Sequence, residues 1–142
     1  MSQSNTKEGD LLIAANEDLS ALADVLVAPY NNAGQLSVTR PVANNDYAVY
    51  VLVYGAPSGG LATVRPLSPS RSVRVVAKGT GNAGALLVLA DGVTTATDRG
   101  KVRSSASLTA GAGTFRLVGI AEEAFVDGQT VKVRPTFGSI TV

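Results

Sequence analysis

The chain contains no cysteine, no histidine and no tryptophan. Without cysteine it has no disulfide, no thiolate nucleophile and no thiolate metal site. Without histidine it lacks the commonest general base and metal ligand, so Ser-His-Asp and Cys-His triads are impossible within the chain. Aromatic residues are scarce, three Phe and four Tyr, and any core has to be built from small aliphatic side chains. Charge is sparse as well, 16% of residues against about 25% in an average domain. That fits either a plain small-residue β-protein or a surface partly covered by partners. The 12 Lys and Arg nearly cancel the 11 Asp and Glu, which removes any global pull towards nucleic acid or a membrane. Long apolar runs are missing too. The longest, Ala48 to Tyr54, is far short of the roughly 20 residues that span a bilayer. The polar start MSQSNTKEGD has no signal-peptide core. These features predict a soluble protein that is not secreted by the usual route.

What is present reads as short strands. The 142 residues suit one domain, which at this size buries roughly 68–70% of its unfolded surface. Ala110 to Pro135 reads as strand, turn, strand. Phe115, Leu117, Gly119 and Ala121 share one side, Asp127-Gly128 turns the chain, and Val131 and Val133 alternate with Thr130, Lys132 and Arg134. Tyr47 to Tyr54, YAVYVLVY, is apolar on both faces. Such a strand is either central or meets a partner with its second face. Tyr50, Leu52 and Tyr54 belong to that second face. Further strands are expected at Leu36–Val42, Leu61–Arg65, Ser72–Lys78, Ala85–Ala90, Lys101–Arg103 and Ser139–Val142, separated by Gly, Pro, Asn and Asp. Asn16–Ala28 reads as a short helical turn or loop followed by a strand. The pattern predicts an all-β fold, a compact small barrel or sandwich of nine or ten short strands with at most one short helix. Residues 1–15 are expected to be a flexible arm and residues 16–142 the β-rich body. Leu11, Leu12 and Ile13 would be the arm's apolar contact, adding a strand to a partner's sheet edge.

No motif with chemistry survives its context. Gly79-Thr80-Gly81-Asn82-Ala83-Gly84 matches G-x-G-x-x-G, but the following ALLVLADG is too short for the required helix, so it reads as a glycine-rich hairpin loop. Glu122 and Glu123 are adjacent on a strand and face opposite ways, unlike a glycosidase pair. Arg71, Arg74, Lys78, Arg99, Lys101 and Arg103 are candidates for a basic strip, with too few aromatics nearby for single-stranded nucleic acid. An acidic front (residues 1–24) and a basic middle (residues 65–116) either meet across subunits or are solvated faces. Three Arg-Pro steps, at residues 40–41, 65–66 and 134–135, read as strand ends. The residues imply no catalytic centre, no cofactor, no metal site, no direct nucleic-acid partner and no membrane association.

The second half also resembles the capsid decoration, or cement, proteins of tailed phages. The resemblance is carried by Val64-Arg65-Pro66-Leu67-Ser68-Pro69, by the 79–84 glycine loop, by Leu86 to Ala90 before Asp91-Gly92, and most closely by Gly113 to Glu123 followed by Gly128 to Pro135. It covers half to two-thirds of the chain and least of all the first 45 residues. It implies a structural, non-enzymatic β-body on the outside of the virion, assembled in the host bacterial cytoplasm. It further implies a homotrimer at local three-fold positions with the major capsid protein as partner. The competing reading is a β-barrel binding module for carbohydrate or nucleic acid, against which the missing Trp counts.

Overall fold

Ten short segments rich in Val, Leu and Ala extend into strands, and two sheets bury them. In the computed structural model, residues 9–93 and 95–142 are described. Five strands, β1 (Leu11–Ala15), β2 (Leu26–Asn32), β3 (Gln35–Thr39), β4 (Tyr50–Tyr54) and β5 (Leu61–Pro66), close a barrel in the order β1-β3-β2-β4-β5. The other five, β6 (Val73–Val76), β7 (Leu86–Leu89), β8 (Val102–Ser104), β9 (Thr114–Ala121) and β10 (Thr130–Thr141), form a sheet ordered β6-β10-β9-β7-β8. Among the described residues the only helical elements are two 3-10 turns, Ala96–Asp98 and Ser105–Ser107. The expected all-β architecture is therefore the observed one. Residues 16–25, where a helical turn was one option, contain only turns and bends before β2.

Two cores explain the doubly apolar strand. Leu52 faces the barrel interior with Ile13, Val27, Val38 and Val64, and Tyr50 packs against that cluster. Val51 faces the other way, into a core made with Leu26, Val75, Leu87, Val131 and Val133. Leu26 and Val51 are cross-strand partners. β2 and β4 are thus a wall shared by both cores, and the chain itself covers β4 on one face at Val51 and on the other at Leu52. Gly100 lets the chain approach this wall: with φ +83°, it would place a Cβ 2.6 Å from the Leu26 carbonyl oxygen. A side chain there would clash and would also sit in left-handed backbone.

The barrel and the loop after β7 are also tied by charge. Glu17, just after β1, accepts hydrogen bonds from the Thr39 hydroxyl (2.9 Å), the Arg40 N–H (2.7 Å) and Arg40 Nη2 (3.0 Å). Arg99 adds two contacts at 3.3 Å and donates to the Arg40 and Pro41 carbonyls. Burial pushes the Glu17 carboxyl up, but the hydrogen bonds from Arg40 and Thr39 outweigh it and hold its pKa below the usual range. Buried Asp98 is paired with Lys78 and Lys101.

Several expectations change in detail. Leu11–Ala15 is strand β1 of the barrel, antiparallel to β5 and parallel to β3, so the body begins earlier than residue 16. With both neighbours in place, β1 offers no free edge to a partner sheet. Buried Ile13 and Ala15 hold it there. The remainder of the expected arm, residues 1–8, lies outside the described residues. Pro135 does not end a strand. It sits at an irregularity in β10, beyond the last residue paired with β6, where a missing N–H costs no ladder bond. The 79–84 loop is not a hairpin, because it joins β6 to β7, which are not neighbours. The side shared by Phe115, Leu117, Gly119 and Ala121 is broken by a bulge at Val118, which turns into the core.

A candidate partner-binding face on the barrel

The barrel turns one uncharged apolar face to solvent, and strand alternation builds it. In β5, Ala62 and Val64 point inward, so Leu61 and Thr63 point outward. In β1, Ile13 and Ala15 point inward, so Leu12 and Ala14 point outward. Leu12 pairs with Thr63, and Leu61 with Ala14. In β4, a bulge at Val53 shifts the register so that Tyr54, not Val53, lies opposite Thr63. A one-residue slip moves a side chain to the other face. Tyr54 therefore leaves the side it would share with Leu52 and joins the outer row. With strands about 4.7–4.9 Å apart, Leu12 and Tyr54 flank Thr63 across roughly 10 Å. The three large side chains are strongly exposed: Leu12 65%, Leu61 62% and Tyr54 71%.

Charge lies at the border of this face. Arg65, two residues beyond Thr63 on β5, makes a bidentate contact with Asp10 at 2.7 and 2.9 Å. The hydrogen bond from Arg65 holds the Asp10 carboxyl below its usual range, and the Arg71 charge assists. A neutral apolar centre with a paired ionic rim is the anatomy of a protein-binding patch. Contiguous exposed apolar surface of this kind marks an interaction site more often than scattered single residues do.

The six contact residues expected from sequence divide sharply. Leu12 and Tyr54 are on the face, and Leu11 is partly exposed at the start of β1. Ile13 and Leu52 are buried in the barrel, and Tyr50 packs against the same cluster. Leu61 was missed. Its signal was available, since the buried Ala62 and Val64 alternate with it along LATVRP. The residues weighed and set aside as a basic strip are engaged piecemeal: Arg74 with Glu123, Lys78 and Lys101 with Asp98, Arg99 with Glu17, and Arg103 with Ser107. Arg71 reaches the Pro66 carbonyl. Glu122 and Glu123 likewise take separate partners, Ser72 and Arg134 for the first and Arg74 for the second.

No protein-family model matches the chain. No curated protein matches its sequence. Among solved structures, the fold is similar to the N base of the head fiber gp8.5 of bacteriophage phi29, with a TM-score of 0.66 and 19% sequence identity. The match covers 92% of this chain and 96% of that chain, so the two share one fold, barrel and second sheet together, at an identity that speaks for the fold alone.

Proposed function

We propose that this chain is a structural protein of a tailed-phage head. It sits on the outer surface of the shell as a homotrimer at local three-fold positions, bound to the major capsid protein. Its role is to decorate and stabilise the capsid, and it carries out no catalysis. The observation that carries this reading is the fold likeness to a phage head fiber base over nearly the whole of both chains. The resemblance of residues 61–142 to decoration proteins points the same way. The Leu12–Leu61–Tyr54 face supplies an attachment surface of suitable chemistry, an apolar centre with an ion-paired border. Repeated over many sites on a shell, a modest interface gains strength through multivalency.

The test is sedimentation of undecorated capsids with increasing amounts of purified protein. The expected result is saturable binding, with a Leu12→Ser, Tyr54→Ser double variant losing most of its occupancy while remaining folded by circular dichroism. Absence of binding by the unaltered protein would overturn the capsid reading. Unchanged occupancy of the variant would remove this face from it. A monomer by light scattering would remove the trimer.

A further inference from the structure

The longest strand, β10, leaves half of one edge open. Backbone groups alternate between the two edges of a strand. The Gln129 carbonyl, just before β10, accepts from the Ala77 N–H on the β6 side. The Lys132 carbonyl accepts from the Glu122 N–H, and the Val142 N–H donates to the Gly113 carbonyl, both on the β9 side. Odd-numbered residues of β10 therefore point towards β6 and even-numbered ones towards β9. Pairing with β6 stops at Val133, whereas pairing with β9 continues to Thr141. Phe137, Ser139 and Thr141 thus aim their N–H and C=O groups at an edge that no strand covers among the described residues. All three are exposed.

Little guards this edge. Proteins usually keep edges apart with charge, above all lysine, or with proline. Residues 135–142, PTFGSITV, carry no charge, and Pro135 stands before the open positions without removing a donor from them. Arg116, opposite Ser139 on β9, is turned to the Asn45 and Asp46 carbonyls, both at 3.3 Å, and to the Tyr47 ring. Paired residues share a face. Leu117 with Gly138 and Phe115 with Ile140 make one row; Arg116 with Ser139 and Thr114 with Thr141 make the other. Gly138 leaves a gap in the apolar row. A Cβ there would meet nothing closer than Leu117 Cδ2 at 3.6 Å. Glycine inside a strand often marks a place that something else approaches closely.

We propose that this edge pairs with the same edge of a second copy of this chain, antiparallel about a two-fold axis at Ser139. The edge is complementary to itself. With Ser139 opposite its own counterpart, Phe137 falls opposite Thr141. These are the residues whose backbone groups point outwards, so each such pair exchanges both of its N–H···O bonds. The same register sets Ile140 of one copy against Gly138 of the other, where the isoleucine fills the gap beside Leu117. Sliding by two residues keeps the outward groups in register but sets Gly138 against Gly138 or Ile140 against Ile140, and the gap stays unfilled. On the other face only Ser, Thr and Phe meet, so no like charges are brought together. A contact of this kind is isologous, the commonest type in homo-oligomers. It uses none of the residues of the Leu12–Leu61–Tyr54 face. It is also separate from a three-fold contact: a trimer closes through other surfaces, and paired edges would join one trimer to the next.

The chain has no cysteine, so one introduced thiol reports the pairing. In the purified full chain, Ser139→Cys should form a two-chain disulfide under mild oxidation. Residues in a hydrogen-bonded pair lie about 5.5 Å apart at Cα, within the span of a disulfide. Thr141→Cys alone should not link, because its counterpart is displaced by about 14 Å along the strand. Mixed with Phe137→Cys, it should. Ser139→Pro removes an N–H that serves no bond to β9, and Ser139→Lys sets like charges opposite each other. Each should halve the mass seen by sedimentation with circular dichroism unchanged, and mixing Ser139→Lys with Ser139→Glu should restore it. No disulfide at Ser139→Cys, equal linking of Thr141→Cys alone, or an unchanged mass in either the Pro or the Lys variant would overturn the proposal. So would protection of the Ser139 and Thr141 amides from exchange only after capsids are added, which would give the edge to a capsid strand. The three-fold reading is scored separately, by whether the Ser139→Lys protein sediments as three chains, and capsid binding by pelleting, so each reading fails on its own.

Discussion

Replacing Glu17 by Gln should cost much more than its position in a surface loop suggests. Its carboxylate is 22% exposed, Arg40 22% and Arg99 19%. An exposed ion pair contributes roughly 0–1 kcal/mol, and breaking a buried one costs about 3–5 kcal/mol. Here one carboxylate serves two guanidinium groups, a backbone N–H and a hydroxyl at about a fifth exposure. The amide turns an NH2 towards donors and leaves both arginines uncompensated, and we place the cost at about 2.5 kcal/mol. A chain of 142 residues unfolds with an entropy of roughly 0.3 kcal/mol/K, so the Tm should fall by about 8 °C. Calorimetry at matched protein concentration measures it, because association would shift the Tm on its own. Glu123→Gln is the control. It breaks an open pair, 54% and 39% exposed, and should change stability by less than about 1 kcal/mol. The effect also has a defined pH dependence. The folded-state pKa of Glu17 is depressed, so its stabilisation is fully present above the ordinary carboxyl value and is lost as pH falls through the lower folded value. Gln does not titrate, so the two stability curves should converge in acid. A Glu17→Gln loss no larger than that of Glu123→Gln, or one independent of pH, would refute the argument.

Two other substitutions test the fold. A Cβ at Gly55 would lie 1.7 Å from the buried Leu19 carbonyl oxygen, so Gly55→Ala should destabilise by about 3 kcal/mol or more. Gly111→Ala, with open space but φ +83°, should cost only about 1–2 kcal/mol. Urea titration separates these two variants, and equal midpoints would contradict the close approach. On β4, Leu52→Ala should cost about 2–5 kcal/mol. Tyr54→Ala on the outer face should stay within about 0.5 kcal/mol. A large loss at Tyr54 would mean that the chain itself covers its ring.

The strands were legible because small aliphatic residues alternate with polar ones between Gly, Pro, Asn and Asp. β5, β7 and the first half of β10 fall within a residue or two of where the pattern places them. The candidate face was legible only in part. Leu12 and Tyr54 are outward, but Leu52 is buried and Tyr50 packs against the barrel cluster. Simple alternation puts all three β4 residues on one side, and the bulge at Val53 that separates them has no signature in YVLVY. The Glu17 clamp was equally hidden, since its partners lie 23 and 82 residues away.

By itself the sequence determined the class of protein: no cysteine or histidine chemistry, scarce aromatics, and a chain punctuated into short strands that must pair to bury their valines. Those properties are local, set by residue type and by spacing over a few positions. Only the tertiary structure decided that β4 is a wall between two cores, that β1 belongs to the barrel, and which apolar residues remain outside. Each of these depends on which strands become neighbours and in what register. A single bulge, or a strand supplied from fifty residues away, changes the face a side chain occupies without changing the sequence around it.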